Sequence, residues 1–318
     1  MKKGPDPRLG ALMKAEPANS WVTQSRVTQV GRAGSAIDEI PSNLGALRHV
    51  SQRLVAHYMG NSDGSSGPIA GARLKEVDLR YADAMFGRLL ELGGPKLSRD
   101  RTPDEKLPGC CRDFAVLFVA MARHKGIPAR VRVGYASYFK SDWYLDHVIA
   151  EVWDPGESRW RLVEPEITAS VVAKVGFDPL DVPRDQFVTG PLAWIAARSG
   201  RIDPERFLVA PDLEIPYTRG WLSLRHHLVQ DLAALNKAEM LVWDQWGILN
   251  EDDPLVCAKD LDQLAQVLSE PNCAPSAVSE WSRTAGFQIP PRVTSYSPTS
   301  ETPLEVDVRP VLQGTLAP

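Results

Sequence analysis

Apolar residues recur at three- and four-residue spacing in separate stretches of the chain, and one stretch between them alternates apolar with polar. The helical spacing covers 37–60, with Leu44, Leu47, Val50, Leu54, Val55 and Tyr58 on one face and Asp38 or Ser42 as cap. A loop rich in Gly and Ser follows, from Gly60 to Gly71. The spacing returns over 76–92 (Val77, Tyr81, Met85, Leu89, Leu92) and stops at Gly93-Gly94-Pro95. It returns again over 185–198, before Gly200, and over 222–241, with Leu224, Leu228, Leu232, Leu235 and Leu241. Between these lies the apolar run Val116–Ala122, which stops at Gly126. Val131, Val133 and Tyr135 then alternate with Arg130, Arg132 and Gly134, the pattern of a strand. His147 opens a second strand that runs to Trp153, and Asp154-Pro155-Gly156-Glu157 reads as a hairpin turn. Arg159–Val163 is the return strand, closed by Glu164-Pro165. Helices, then one helix beside a strand meander, then helices again predict an α+β fold rather than a βαβ alternation.

The ends read differently. Residues 1–20 carry Gly, Pro, Lys and Ala without a period and predict a flexible tail. Residues 21–250 form one expected domain with its patterned core at 105–170. Residues 251–318 predict a C-terminal helix and, from about 290, an extended Pro-rich arm. A chain of 318 residues that is 43% hydrophobic has enough apolar material for a core. Its net charge of −4 gives no bulk basic signal, so nucleic acid is not an expected partner. No apolar run approaches membrane-span length, and the positive N-terminus lacks the apolar stretch of an export signal. Four cysteines in this length do not make a disulfide framework. The expectation is a cytoplasmic protein with reduced thiols and no membrane partner.

The chemistry centres on Cys111, in Gly109-Cys110-Cys111-Arg112-Asp113-Phe114-Ala115 at the start of the apolar helix. A helix N-terminus presents unpaired N–H groups and positive dipole charge, which favour a thiolate and a developing oxyanion. Asp113, in the first turn, supports that end as a cap, and Cys110 is read as structural. Across the hairpin, His147 near the start of one strand and Glu164 at the end of its partner lie side by side. Asp146 and Asp154 are alternative carboxylates. Asp146 points to the other face of its strand and Asp154 sits far along it, so Glu164 is favoured. Thiol, imidazole and carboxylate in that order fit nucleophile, base and orienter.

The segment resembles the transglutaminase-like superfamily. Its matching pieces are Gly109, Cys111, Asp113 and Ala115, then Gly126-Ile127-Pro128-Ala129-Arg130, Gly134-Tyr135, His147, Glu151-Val152, Trp160 and Glu164-Pro165. The resemblance implies a papain-like transglutaminase core, a nucleophile helix packed on an antiparallel sheet, here with flanking helices. It implies catalytic roles for Cys111, His147 and Glu164. The usual third residue is Asp, so the longer Glu164 departs from the family pattern, and Glu164→Asp is expected to preserve or raise activity. The longer pattern also resembles a stand-alone bacterial branch of the superfamily of undefined substrate, through Asp181-Val182-Pro183-Arg184, Ala193-Trp194, Asp231–Lys237 and Trp243-Asp244-Gln245-Trp246-Gly247.

Four further residues are candidates for substrate binding. Trp143 and Tyr144 precede the histidine strand, Arg184 begins a helical stretch, and Asn236 lies near the end of another. The last of these helices carries Arg225, His226, His227, Asp231, Lys237 and Glu239, read as a solvated face. The adjacent histidines face different directions, and neither a metal nor another cofactor is expected. The expected function is cysteine-dependent acyl transfer on an amide or thioester carbonyl through a thioester. The substrate would be a peptide, an amide or an acyl thioester, the last including one tethered to a carrier protein, and the acceptor water or an amine. The rival expectation is a binding or scaffold protein on the same fold with a weakened triad.

Overall fold

The computed structural model describes residues 18–60, 71–211, 213 and 216–316. Most of the expected tail (1–17) and of the Gly/Ser loop (61–70) lie outside the described residues. The elements run α1 (Gly34–Asp38), α2 (Leu44–Leu54), β1 (Val55–His57), α3 (Ala82–Gly93), β2 (Leu107–Gly109), α4 (Cys111–His124), β3 (Ala129–Ala136), β4 (Tyr144–Asp154) and β5 (Arg159–Val163). There follow α5 (Ala169–Val175), β6 (Phe187–Thr189), α6 (Gly190–Arg198), β7 (Phe207–Leu208), α7 (Gly220–Leu235), β8 (Asp244–Gln245), α8 (Ala258–Ser269), α9 (Pro275–Ser282), β9 (Arg292–Ser295) and β10 (Leu304–Asp307).

The fold is α+β. Its main sheet has the order β5-β4-β3-β6, with antiparallel neighbours, and β7 runs parallel along the start of β4. Gly134 faces both His147 on β4 and Thr189 on β6. A Cβ there would come 2.3 Å from the Val188 carbonyl oxygen, so glycine lets the third strand close beside the histidine. The Asp154 turn forms as the sequence predicts, its Oδ1 accepting the N–H groups of Gly156 at 2.8 Å and Glu157 at 3.2 Å. The apolar residues of α4 pack in one core with Val131 and Val133 of β3, Val148 and Ala150 of β4, and Leu228 and Leu232 of α7.

The element boundaries differ from the periodicity in instructive places. The expected helix 37–60 is split. Asn43 caps α2 by accepting the Ala46 N–H at 2.8 Å, and the chain leaves the helix as β1, paired in parallel with β2. The expected start at 185 is a strand first: β6 enters the sheet, and α6 begins at Gly190 with Pro191 in its first turn. Leu222–Leu241 shortens to α7, because Asn236 closes the helix and Lys237 turns left-handed (φ 61°). The Pro-rich arm also contains structure. β9 and β10 form a hairpin that continues onto β8, and Val308 and Val311 are buried in the same core as α4.

The polar face expected along 222–241 is a correction. Arg225, His226, His227, Asp231, Lys237 and Glu239 are all buried, not solvated. Each has a partner. Asp231 holds Arg132 and the Val133 N–H, Glu239 holds Arg123 and Ser25, and Arg225 donates to the carbonyls of Glu251 and Asp253. Periodicity separates polar from apolar positions; it does not show which polar positions β3, α4 and other distant segments then cover.

Among the described residues no helix is long and apolar enough to cross a membrane.

Candidate active site

The start of α4 is held by short local bonds. A Cβ on Gly109 would lie 2.7 Å from Val55 Cγ1 and 2.9 Å from Asp113 Oδ2, so β1 and the Asp113 carboxylate close up only around a glycine. Asp113 Oδ2 accepts the Cys110 N–H at 2.9 Å, the reciprocal arm of a capping box. Arg112 pairs with Asp113 Oδ1 at 2.9 Å and donates to the carbonyls of Arg80 (2.7 Å) and Glu239 (2.6 Å). Cys111 is then the first helical residue. Its N–H has no carbonyl one turn behind it to bond.

His147 comes from β4. Its Nε2 lies 2.7 Å from Glu164 Oε2. Glu164 follows the last paired residue of β5, Val163, which faces Ala150, so the carboxylate reaches back diagonally rather than straight across the ladder. The same Oε2 accepts the Tyr138 hydroxyl, and Oε1 accepts the Glu166 N–H at 2.8 Å. Burial alone would raise the Glu164 carboxyl. The imidazole, Tyr138 and the Glu166 N–H outweigh it and hold the group below its ordinary value. Burial likewise opposes a charged imidazole, yet the Glu164 carboxylate brings His147 up to about 8. With Nε2 committed to Glu164, Nδ1 is the nitrogen left for another partner.

Cys111 and His147 line one cavity of about 360 Å³. Among the described residues no hydrogen bond joins the Cys111 sulfur to the imidazole. The adjacent Cys110 thiol, burial, and the Asp146 and Glu166 carboxylates push the Cys111 thiol well above its ordinary value. The helix start was expected to favour a thiolate, but in the resting site these surroundings outweigh it. Resting catalytic contacts are commonly long and tighten when substrate binds.

The other expected site residues lie elsewhere. Trp143 and Tyr144 do not line this cavity. Tyr144 stacks on Phe207 at 4.8 Å between ring centres, and Arg219 and Arg206 sit over Trp143 and Tyr144. Arg184 is spent on Glu151 Oε1 (2.7 Å) and the Trp160 carbonyl. Asn236 lines a separate pocket with Leu232, Phe287 and Leu316. Asp146 stands in the cavity wall, with its carboxylate 3.7 Å from His227 Nε2.

The cavity instead takes its aromatic wall from Tyr58, Phe139 and Trp243, and a second carboxylate from Glu166. The indole Nε1 of Trp243 is buried with no hydrogen-bond partner. Sequence reasoning missed this wall. Trp243 and Glu166 carried a signal, since one lies in a Trp-rich segment and the other two residues after Glu164, but no spacing linked either to Cys111.

Residues 95–165 match the model of the transglutaminase-like superfamily. The chain carries a transglutaminase-like core. The matched segment holds β2, α4 and β3–β5, hence Cys111, His147 and Glu164 together, and ends before the segments behind the wider bacterial resemblance. The searches of curated proteins and of solved structures give no match. The superfamily is one of cysteine-based acyl transfer in general.

Proposed function

We propose that the protein is a cysteine-dependent acyl transferase or amide hydrolase, with Cys111 as nucleophile, His147 as base and acid, and Glu164 as the residue that orients the imidazole. The observation that carries this reading is the buried 2.7 Å contact of His147 Nε2 with Glu164, which leaves Nδ1 as the other ring nitrogen of a histidine that lines one cavity with Cys111.

The Cys111 sulfur attacks an amide or thioester carbonyl as His147 Nδ1 takes the thiol proton. The oxyanion meets the Cys111 N–H and the unpartnered Trp243 indole N–H. His147 returns the proton to the leaving group, and a thioester to Cys111 remains. Water then yields an acid, or an amine a new amide. The acyl donor is a peptide, a simple amide or an acyl thioester, including one carried on a protein.

The raised thiol supports a second reading, a binding protein on this fold with weakened catalysis. The two part on one experiment. With p-nitrophenyl acetate, the enzyme gives an acetyl adduct by intact mass that is lost in Cys111→Ala and in His147→Ala. An adduct formed no faster on Cys111 than on the exposed Cys257 supports the binding protein.

A further inference from the structure

The proposed thioester would have to place its acyl group somewhere, and the cavity around Cys111 has a definite chemistry. Tyr58 and Trp243 meet edge to face at 6.4 Å between ring centres, and both line the cavity together with Phe139. Leu145, Val209 and Val242 also line the cavity. At the rim, Met59 is 53% exposed, a large apolar side chain left in water beside an apolar cavity. The charges are not evenly spread. Glu166 and Asp146 carry carboxyl groups into the lining, and Glu166 Oε2 is buried with no hydrogen-bond partner. Of the basic groups in the lining, Lys140 is an exposed rim residue whose charge is screened by water, His147 is already paired with Glu164, and His57 is the third.

We propose that the acyl group delivered to Cys111 is apolar and uncharged, seated against Tyr58, Trp243, Leu145 and Val242, and that Glu166 and Asp146 exclude acyl groups bearing a carboxylate. This rests on the proposed role of Cys111 and adds the donor class to it. Each methylene buried against such a wall is worth about fourfold in binding. Burial and the nearby Glu164 and Asp146 carboxylates already raise the Glu166 carboxyl above its ordinary value, so a further carboxylate brought beside Glu166 and Asp146 loses water and adds to that crowding of acidic groups. Among the described residues no guanidinium or ammonium pairs with Glu166; the bases near it are the imidazoles of His57 and His147, the latter already held by Glu164.

The test uses the full chain with p-nitrophenyl acetate, hexanoate and hemisuccinate. In each, a bond forms between the Cys111 sulfur and the acyl carbon, the bond to nitrophenolate breaks, and the thiol proton leaves through His147. Nitrophenolate release, after subtraction of the Cys111→Ala rate, gives kcat/KM, and intact mass identifies the adduct. Hexanoate is expected to exceed acetate by about tenfold or more, with hemisuccinate slower than acetate. Val242→Asp should collapse the hexanoate preference. Glu166→Gln, which keeps shape and removes charge, should raise the hemisuccinate rate several-fold relative to hexanoate. Equal rates for acetate and hexanoate, or hemisuccinate as the best donor, overturn the proposal while leaving the nucleophile assignment intact. No Cys111-dependent adduct with any ester sinks that assignment, and this proposal with it.

Discussion

His147 and Glu151 stand four residues apart on β4 and so share a face of the strand. Both are buried, and both sit in charged hydrogen-bonded clusters. Around Glu151, every carboxylate oxygen is matched. Its Oε2 takes Arg130 and Arg132, its Oε1 takes Arg184, and Asp231 closes on Arg132 and the Val133 N–H. Burial would raise its carboxyl, but the three guanidinium groups hold it far below the usual carboxylate range. Arg130 is further fixed over Trp21 and Trp160, at 4.9 and 4.0 Å. Around His147 the match is incomplete: Glu164, itself held by the Tyr138 hydroxyl, takes Nε2, and among the described residues no hydrogen bond is made to Nδ1. Burial and shifted titration occur in both clusters, so neither marks a site. What the His147 cluster has and the Glu151 cluster lacks is a place in the lining of the cavity that Cys111 shares.

The comparison is open to direct attack. The largest expected effect is Glu164→Gln, which keeps shape but removes the carboxylate that sets the imidazole. It should lower kcat/KM by up to about 10⁴-fold with little change in Tm. The companion variant Glu151→Gln should do the reverse. It leaves buried guanidinium groups underpaired at a cost of about 3–5 kcal/mol, read as a fall in Tm and in the urea midpoint. If both variants lose only stability, the distinction between the clusters fails.

Glu164→Asp comes next. On sequence alone it was expected to preserve or raise activity. The carboxylate, however, uses its length to reach His147 diagonally and to hold Tyr138 and the Glu166 N–H at once. Shortening it by a methylene should lower kcat about 10–100-fold, the usual effect of a misplacement near 1 Å, with rescue of neither the Tyr138 contact nor the pH profile.

The pH dependence follows from sign. His147 is brought up to about 8, so at neutral pH it is largely imidazolium and unable to accept the thiol proton. Activity should rise with pH through about 8, roughly tenfold per unit on the acid side. In Glu164→Gln burial dominates, and the limb should move to lower pH. An acid limb that stays in place in that variant assigns it to another group. The smallest effect is expected for Trp143→Ala, outside the cavity, which should leave kcat/KM within about twofold; a larger loss would return that residue to the site.

Much of this was legible beforehand because it is local. The capping of α4 by Asp113, the turn at Asp154 and the strand pair bearing His147 and Glu164 all depend on groups within a few residues, or across one hairpin, of each other. The chain order of thiol, imidazole and acid was equally open to reading. The boundaries that moved did so where another segment intervened. Val55–His57 became a strand because Leu107–Gly109 lies beside it, and 187–189 joined the sheet because Gly134 leaves room.

The sequence by itself determined which atoms were available for chemistry and the local frames that hold them, since capping, turn and pleat energies act over short chain distances. Tertiary structure alone decided their surroundings. It buried the polar face expected along 222–241, brought Trp243 and Tyr58 to the thiol, raised that thiol beside Cys110 and two carboxylates, and gave Glu164 a diagonal reach. The physical reason is that desolvation and charge coupling depend on distance in space. Segments far apart in the chain set those distances, and no spacing along it records them.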